Sequence, residues 1–134
     1  MKKRILYLIL PLITLILEIL PYGAVCNFAS GPDQIHRETF SYFDLVPFGY
    51  ANIAPLVTAI ITCIVLLLVV IYCITGKQQF AAKARNLLCV CSVISLGPLL
   101  FGIRYFSLVG ALITVSLIAE LILIHLTVKP SVTK

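Results

Sequence analysis

Charge is what this chain has least of. Asp, Glu, Lys and Arg together make up 11% of its 134 residues, where a soluble domain carries about 25%. Hydrophobic residues make up 61%, and the mean hydropathy is +1.13. A water-soluble fold of this length cannot hide so much apolar surface, so the bilayer is expected to be the solvent for most of it. The length suits one membrane domain covering residues 1–134, with no room for a second.

Patterns of catalysis are also missing. There is no glycine-rich phosphate loop, no His-Glu-x-x-His and no nucleophile elbow. The two histidines, His36 and His125, are expected on opposite sides of the membrane, so no acid–base constellation assembles. The chain is therefore not expected to be an enzyme, and no cofactor is implied. Five cysteines are present, but only Cys26 is expected outside, which excludes an external disulfide. Cys89-x-Cys91 is not the Cys-x-x-Cys of a thiol–disulfide enzyme. Zinc on Cys73, Cys89 and Cys91 is one reading of the rest, and buried apolar thiols are the commoner one. Asp33, His36, Glu38 and Asp44 are too scattered to converge on a metal.

What the chain does have is four apolar runs, at about residues 5–20, 53–75, 87–103 and 107–128. Each approaches the roughly 20 residues a spanning helix needs. The first run is expected to be retained as a helix. It is long for the apolar core of a cleaved signal peptide, and it contains Glu18. The basic residues lie at the ends of the runs. Lys2, Lys3, Arg4, Lys77, Lys83, Arg85, Lys129 and Lys134 fall on one side, and only Arg37 and Arg104 on the other. The positive-inside rule then puts both termini in the cytoplasm and the chain in the plasma membrane as a multi-pass protein. The same scatter accounts for the net charge of +5, and nucleic acid is not an expected partner. The expected partners are the lipid bilayer and a second copy or another membrane protein.

The expected fold is all-α: an integral membrane bundle of four antiparallel transmembrane helices. The outer loop, residues 22–52, is expected to carry a short interfacial helix, capped by Asp33 after the Ser30-Gly31-Pro32-Asp33 turn and ending before Pro47. Its Phe40, Tyr42, Phe43, Phe48 and Tyr50 suit a membrane–water interface. Asn52 is expected to cap the second span, Gly76 to end it, and Gly97-Pro98 to kink the third.

Each run has one polar or small-residue face at helical spacing. Tyr7, Pro11, Thr14 and Glu18 share a face of the first. Thr58 and Thr62 share one of the second, Ser92 and Ser95 one of the third, and Ser116 and Glu120 one of the fourth. Lipid rejects such faces, so they are expected to turn inward. Counted by helix rise, Thr14, Ser95 and Glu120 form one level, and Glu18, Thr62 and Ser116 a second, further out. A carboxyl inside the bilayer costs a few kcal/mol and needs a reason to be there. Glu18 is expected to find Arg104, whose long side chain reaches down from the outer end of the third run, in a structural ion pair. Glu120 has no basic residue at its depth. With Ser95 and Thr14 it forms a candidate proton or cation site, either neutral or beside water.

Four short helices with a glutamate, Glu18, in the first resemble the small multidrug resistance transporters. The likeness covers the helix count and that glutamate. The long outer loop departs from it, and so does the lack of a glycine packing repeat beyond Gly110 in the fourth run. Three functional readings follow, in this order: an interaction or assembly protein of the membrane, a small proton- or cation-coupled transporter or channel using Glu120, and an intramembrane enzyme.

The orientation has a direct test. In a chain whose own cysteines are replaced by alanine, Asp33→Cys should label with an impermeant maleimide from outside intact cells, and Gln79→Cys only after permeabilisation.

Overall fold

The computed structural model describes residues 2–50 and 52–128. The chain is mostly helical, with one small sheet. Its elements in order are α1 (Lys2–Ile19), β1 (Ala24–Gly31), β2 (Gln34–Phe40), α2 (Leu45–Gly49), α3 (Ala54–Thr75), α4 (Gln78–Ser95) and α5 (Leu108–Thr127). Two 3-10 turns, Gly97–Phe101 and Ile103–Tyr105, join α4 to α5. Three helices are long and apolar enough to cross a membrane: Ala54–Thr75, Gln78–Phe101 (α4 taken with its first 3-10 turn) and Leu108–Thr127. Helix α1 has 18 residues and carries charge at both ends, Lys2, Lys3 and Arg4 at one and Glu18 at the other. The expected tail cations Lys129 and Lys134 lie outside the described residues.

α1 packs against α3 and α5, and α4 packs against the same two. The core between them is built from Val65, Val69, Ala84, Leu88, Ile113 and Leu117, all 1% exposed or less. The polar faces turn inward beside these residues. On α1, Pro11, Thr14 and Glu18 are buried, while Leu12, Ile13, Ile16 and Ile19 are exposed. Exposed apolar side chains at this density, Leu67, Val93, Val115 and Leu126 among them, need an apolar solvent.

The helix ends follow local chemistry. Pro55 sits in the first turn of α3, where its missing N–H costs nothing. Gly76 ends α3 at φ 70°, a left-handed conformation that glycine adopts without strain. Ser107 caps α5, its hydroxyl accepting from the Gly110 N–H at 2.8 Å. Two expected features differ. Asn52 does not cap α3: its side-chain amide donates to the Val25 carbonyl at 3.3 Å, and Ile53 stands at the cap without a side-chain bond. Gly97-Pro98 does not kink a continuing helix. α4 begins at Gln78, well before the expected apolar run, and is complete at Ser95, so the Gly-Pro pair opens the 3-10 turn that follows.

The outer loop is the main correction. No helix runs from Asp33 to Pro47. Residues 24–40 form an antiparallel hairpin instead, with Ala24 opposite Phe40 and Phe28 opposite His36. Val25, Phe28, Ile35, Thr39 and Phe40 are residues that favour strands, and the turn at Pro32-Asp33 joins two strands where a cap was expected. The loop's short helix comes later, as α2, with Asp44 rather than Asp33 as its cap and the Val46 N–H donating to it at 3.0 Å. The hairpin base is buried at Ala24, Val25 and Cys26, while its tip is exposed.

Tyr42 seats this outer module on the helices. Its N–H donates to the Glu18 backbone carbonyl at 2.9 Å, and the residue is 2% exposed. Gly23 lets the ring lie close: a Cβ there would come within 2.8 Å of Tyr42 Cδ1. Gly23→Val should therefore unseat the tyrosine and destabilise the protein by about 1–3 kcal/mol, read as a lower unfolding midpoint in detergent.

Candidate functional site

The most chemically loaded region lies in the interior between α1, α3 and α5. It is built around Glu18, 0% exposed, and Glu120, 1% exposed. Glu18 stands in the last turn of α1. Thr62 of α3 faces it, with the Thr62 Oγ1 hydroxyl 2.8 Å from Glu18 Oε1 and 3.0 Å from the Thr58 carbonyl of its own helix. One turn earlier on α1, Thr14 meets α5. Its Oγ1 lies 2.7 Å from Glu120 Oε1, 2.6 Å from Ser116 Oγ and 3.0 Å from the Leu10 carbonyl. Two carboxyl–hydroxyl contacts thus tie α1 to both of its neighbours. The remaining oxygens, Glu18 Oε2 and Glu120 Oε2, are buried with no hydrogen-bond partner, and so is Thr58 Oγ1.

Of the expected proton or cation site, Thr14 and Glu120 are brought together. Ser95 is hydrogen-bonded to neither of them. It donates to the Ser92 carbonyl at 2.8 Å and accepts from Thr114 at 3.1 Å, tying α4 to α5 instead. Ser116, placed by depth with Glu18 and Thr62, belongs with Thr14 and Glu120. The ion pair expected between Glu18 and Arg104 is absent. Arg104 is exposed in the second 3-10 turn, because α4 ends early and the turns carry residue 104 to the surface. Thr62 takes its place beside the carboxyl. Among the described residues the close contact between a basic and an acidic side chain is His36 Nε2 to Glu38 Oε1, at 3.2 Å on the hairpin.

Two contributors were not singled out from the sequence. Thr114 continues a Ser107, Gly110, Thr114 stripe spaced three and four, the pattern that revealed the others. Tyr42 belongs to no helical stripe and could be found only from the structure. Burial pushes its phenol above its ordinary value, so it stays protonated.

Neither carboxyl lines any of the three main cavities. One, of about 280 Å³, lies between α4 and α5 at Cys89 and His125. One, of about 360 Å³, lies at Arg4 and Cys73. The third, of about 100 Å³, lies between β1, Tyr50, Asn52 and Tyr105. Among the described residues no cluster of His, Cys, Asp or Glu could hold a metal ion. The Cys73 thiol faces the Arg4 carbonyl at 3.1 Å, Cys91 faces the Thr58 carbonyl at 3.7 Å, and Cys89 is exposed, so the three do not converge. Burial pushes the outer Cys26 thiol up as well, which keeps it a thiol and a poor nucleophile.

No family model, no curated protein and no solved structure matches this chain.

The polar contacts predict an order of mutational cost. Thr14→Val removes a hydroxyl that meets two side chains of another helix, and Thr62→Val removes one that meets Glu18. Each should cost about 1–2 kcal/mol, the upper range for a hydrogen bond inside a membrane protein. Thr75→Val, whose exposed hydroxyl bonds only the Ile71 carbonyl of its own helix, should cost less than about 0.5 kcal/mol. Unfolding midpoints of the three variants in one detergent check the ranking.

Proposed function

We propose that this chain is a non-enzymatic, multi-pass membrane protein that works through contacts with other proteins. In this reading α1, α3, α4 and α5 form one antiparallel bundle of four transmembrane helices in the plasma membrane. Both termini are cytoplasmic, and the hairpin with α2 lies outside. The exposed apolar face of α1 supports its role as the fourth span, since Leu12, Ile13, Ile16 and Ile19 have no protein neighbour to cover them. Its Arg4 then meets the headgroups on the cytoplasmic side.

The observation that carries the reading is the closure of the interior. Both membrane carboxyls end on hydroxyls of neighbouring helices, and both residues are 1% exposed or less. A transport pathway needs such groups to be reached from water at some stage, and packing does not. The hydroxyl–carboxyl contacts then act as ties that fix helix order and rotation in a solvent with no hydrophobic effect of its own. The exposed side of the outer module, with Ile35, Leu45 and Tyr50, is the surface left for a partner or for the lipid interface.

A second reading, a small proton- or cation-coupled transporter or channel, has one specific observation in its favour. Glu18 and Glu120 each keep a buried carboxyl oxygen with no partner, and buried polar groups without partners concentrate where a protein does work.

One experiment separates the two. Vesicles containing the purified chain and a trapped pH dye should relax an imposed pH gradient no faster than protein-free vesicles, and Glu120→Gln should behave the same. Faster relaxation by the native chain that Glu120→Gln abolishes would decide for transport.

A further inference from the structure

We propose that Glu18 and Glu120 are proton-binding sites, each holding its proton as a carboxylic acid whose hydroxyl donates to a threonine. The hydroxyl hydrogens at each site are too few for ionised carboxyls. Thr62 Oγ1 carries one proton and lies within bonding distance of two oxygens, the Thr58 carbonyl at 3.0 Å and Glu18 Oε1 at 2.8 Å. The carbonyl can only accept. Both contacts are full hydrogen bonds only if Thr62 donates to Thr58 and Glu18 supplies the other proton.

The second site repeats the arrangement between a different pair of helices. Thr14 Oγ1 lies 3.0 Å from the Leu10 carbonyl, 2.7 Å from Glu120 Oε1 and 2.6 Å from Ser116 Oγ. A hydroxyl can give one bond and take two. Giving to Leu10 and taking from Ser116 and from a protonated Glu120 uses that capacity in full. With Glu120 ionised, a single Thr14 proton would have to serve both the carboxylate and the Leu10 carbonyl.

The unpartnered oxygens point the same way. Glu18 Oε2 and Glu120 Oε2 are buried without a donor. In an anion that leaves half the charge unanswered in hydrocarbon, whereas in an acid it leaves one neutral carbonyl oxygen, a far smaller penalty. Among the described residues no cation stands near to change the balance. The titratable groups close enough to act on Glu18 through their charge are Tyr42 from the connection before α2, Cys63 from α3, Cys91 from α4 and Glu120 from α5. Glu120 faces Glu18 and Cys91. None of these is basic. A proton is also the one ligand that needs no space, and both carboxyls are closed off from the surface.

The inference goes beyond the assembly reading and can fail apart from it, since an ionised carboxyl bonded to threonine would still tie the helices. Infrared spectroscopy of the full chain in lipid vesicles at neutral pH separates the carbonyl stretch of a protonated carboxyl from the amide and carboxylate bands. The native chain should show that stretch. Glu18→Gln and Glu120→Gln should each remove about half of it, and the double variant all of it. Glutamine offers an N–H in place of the acid O–H, so these variants should fold. Thr62→Val and Thr14→Val keep the carboxyl but delete its acceptor, and each should shift its half of the band. An absent stretch, a stretch unchanged by the glutamine variants, or one unmoved by the valine variants overturns the proposal. So does a stretch that disappears when sodium is added at constant pH, which would make these cation sites.

Discussion

Glu18 and Glu120 stand among helices whose outer surfaces are leucine, isoleucine and valine, and the arrangement of α1, α3 and α5 follows from the need to answer them. Lipid supplies no hydrogen bonds, so a carboxyl in a spanning helix must find its partner on another helix or expose itself to hydrocarbon. Thr62 and Thr14 are those partners. Each threonine also back-bonds its own helix, so its hydroxyl is held in place before the carboxyl meets it. The apolar residues beside them, Val65, Leu88, Ile113 and Leu117, pack tightly but specify little about rotation. Leucine against leucine tolerates a turn of the helix. A carboxyl against a single hydroxyl does not.

The helices were legible in the sequence because two simple rules act on them. An apolar run of sufficient length has to be satisfied within itself, which makes it a helix. Polar residues on that run have to face inward, which sets its rotation. Thr14, Glu18, Thr62 and Glu120 are all buried for that reason, and Pro55 and Gly76 mark the ends of α3 as their backbone preferences require. Pairing across helices was less legible. Depth counted by helix rise put Ser116 with Glu18 and Ser95 with Glu120, and both assignments differ from the contacts made. An error of one turn is enough to exchange such neighbours, and a helix start cannot be read to better than that where α4 begins among polar residues.

Outside the long helices the rules weaken. A run such as Gln34–Phe40 carries a strand pattern and a helix pattern at once, with Ile35 and Phe40 apolar among polar neighbours. Pairing with β1 decides it, and pairing is not a local property. The error over Arg104 has the same origin. A helix continuing past Gly97-Pro98 would have aimed the guanidinium at Glu18. The 3-10 turns that replace it send the side chain to the surface. An ion pair that looked natural in one dimension depended on a helix two turns longer than the one that forms.

Tyr42 gives the outer hairpin a mechanical role. Its backbone holds the carbonyl of Glu18, its ring rests on Gly23, and the Gly23 carbonyl takes the hydroxyl of Ser107 at the start of α5. The last turn of α1, the first turn of α5 and the root of the hairpin are therefore clamped at one point. The residue at that joint, Glu18, is also the one whose side chain meets Thr62 of α3. One residue thus serves two joints, its backbone seating the hairpin and its carboxyl meeting the neighbouring helix.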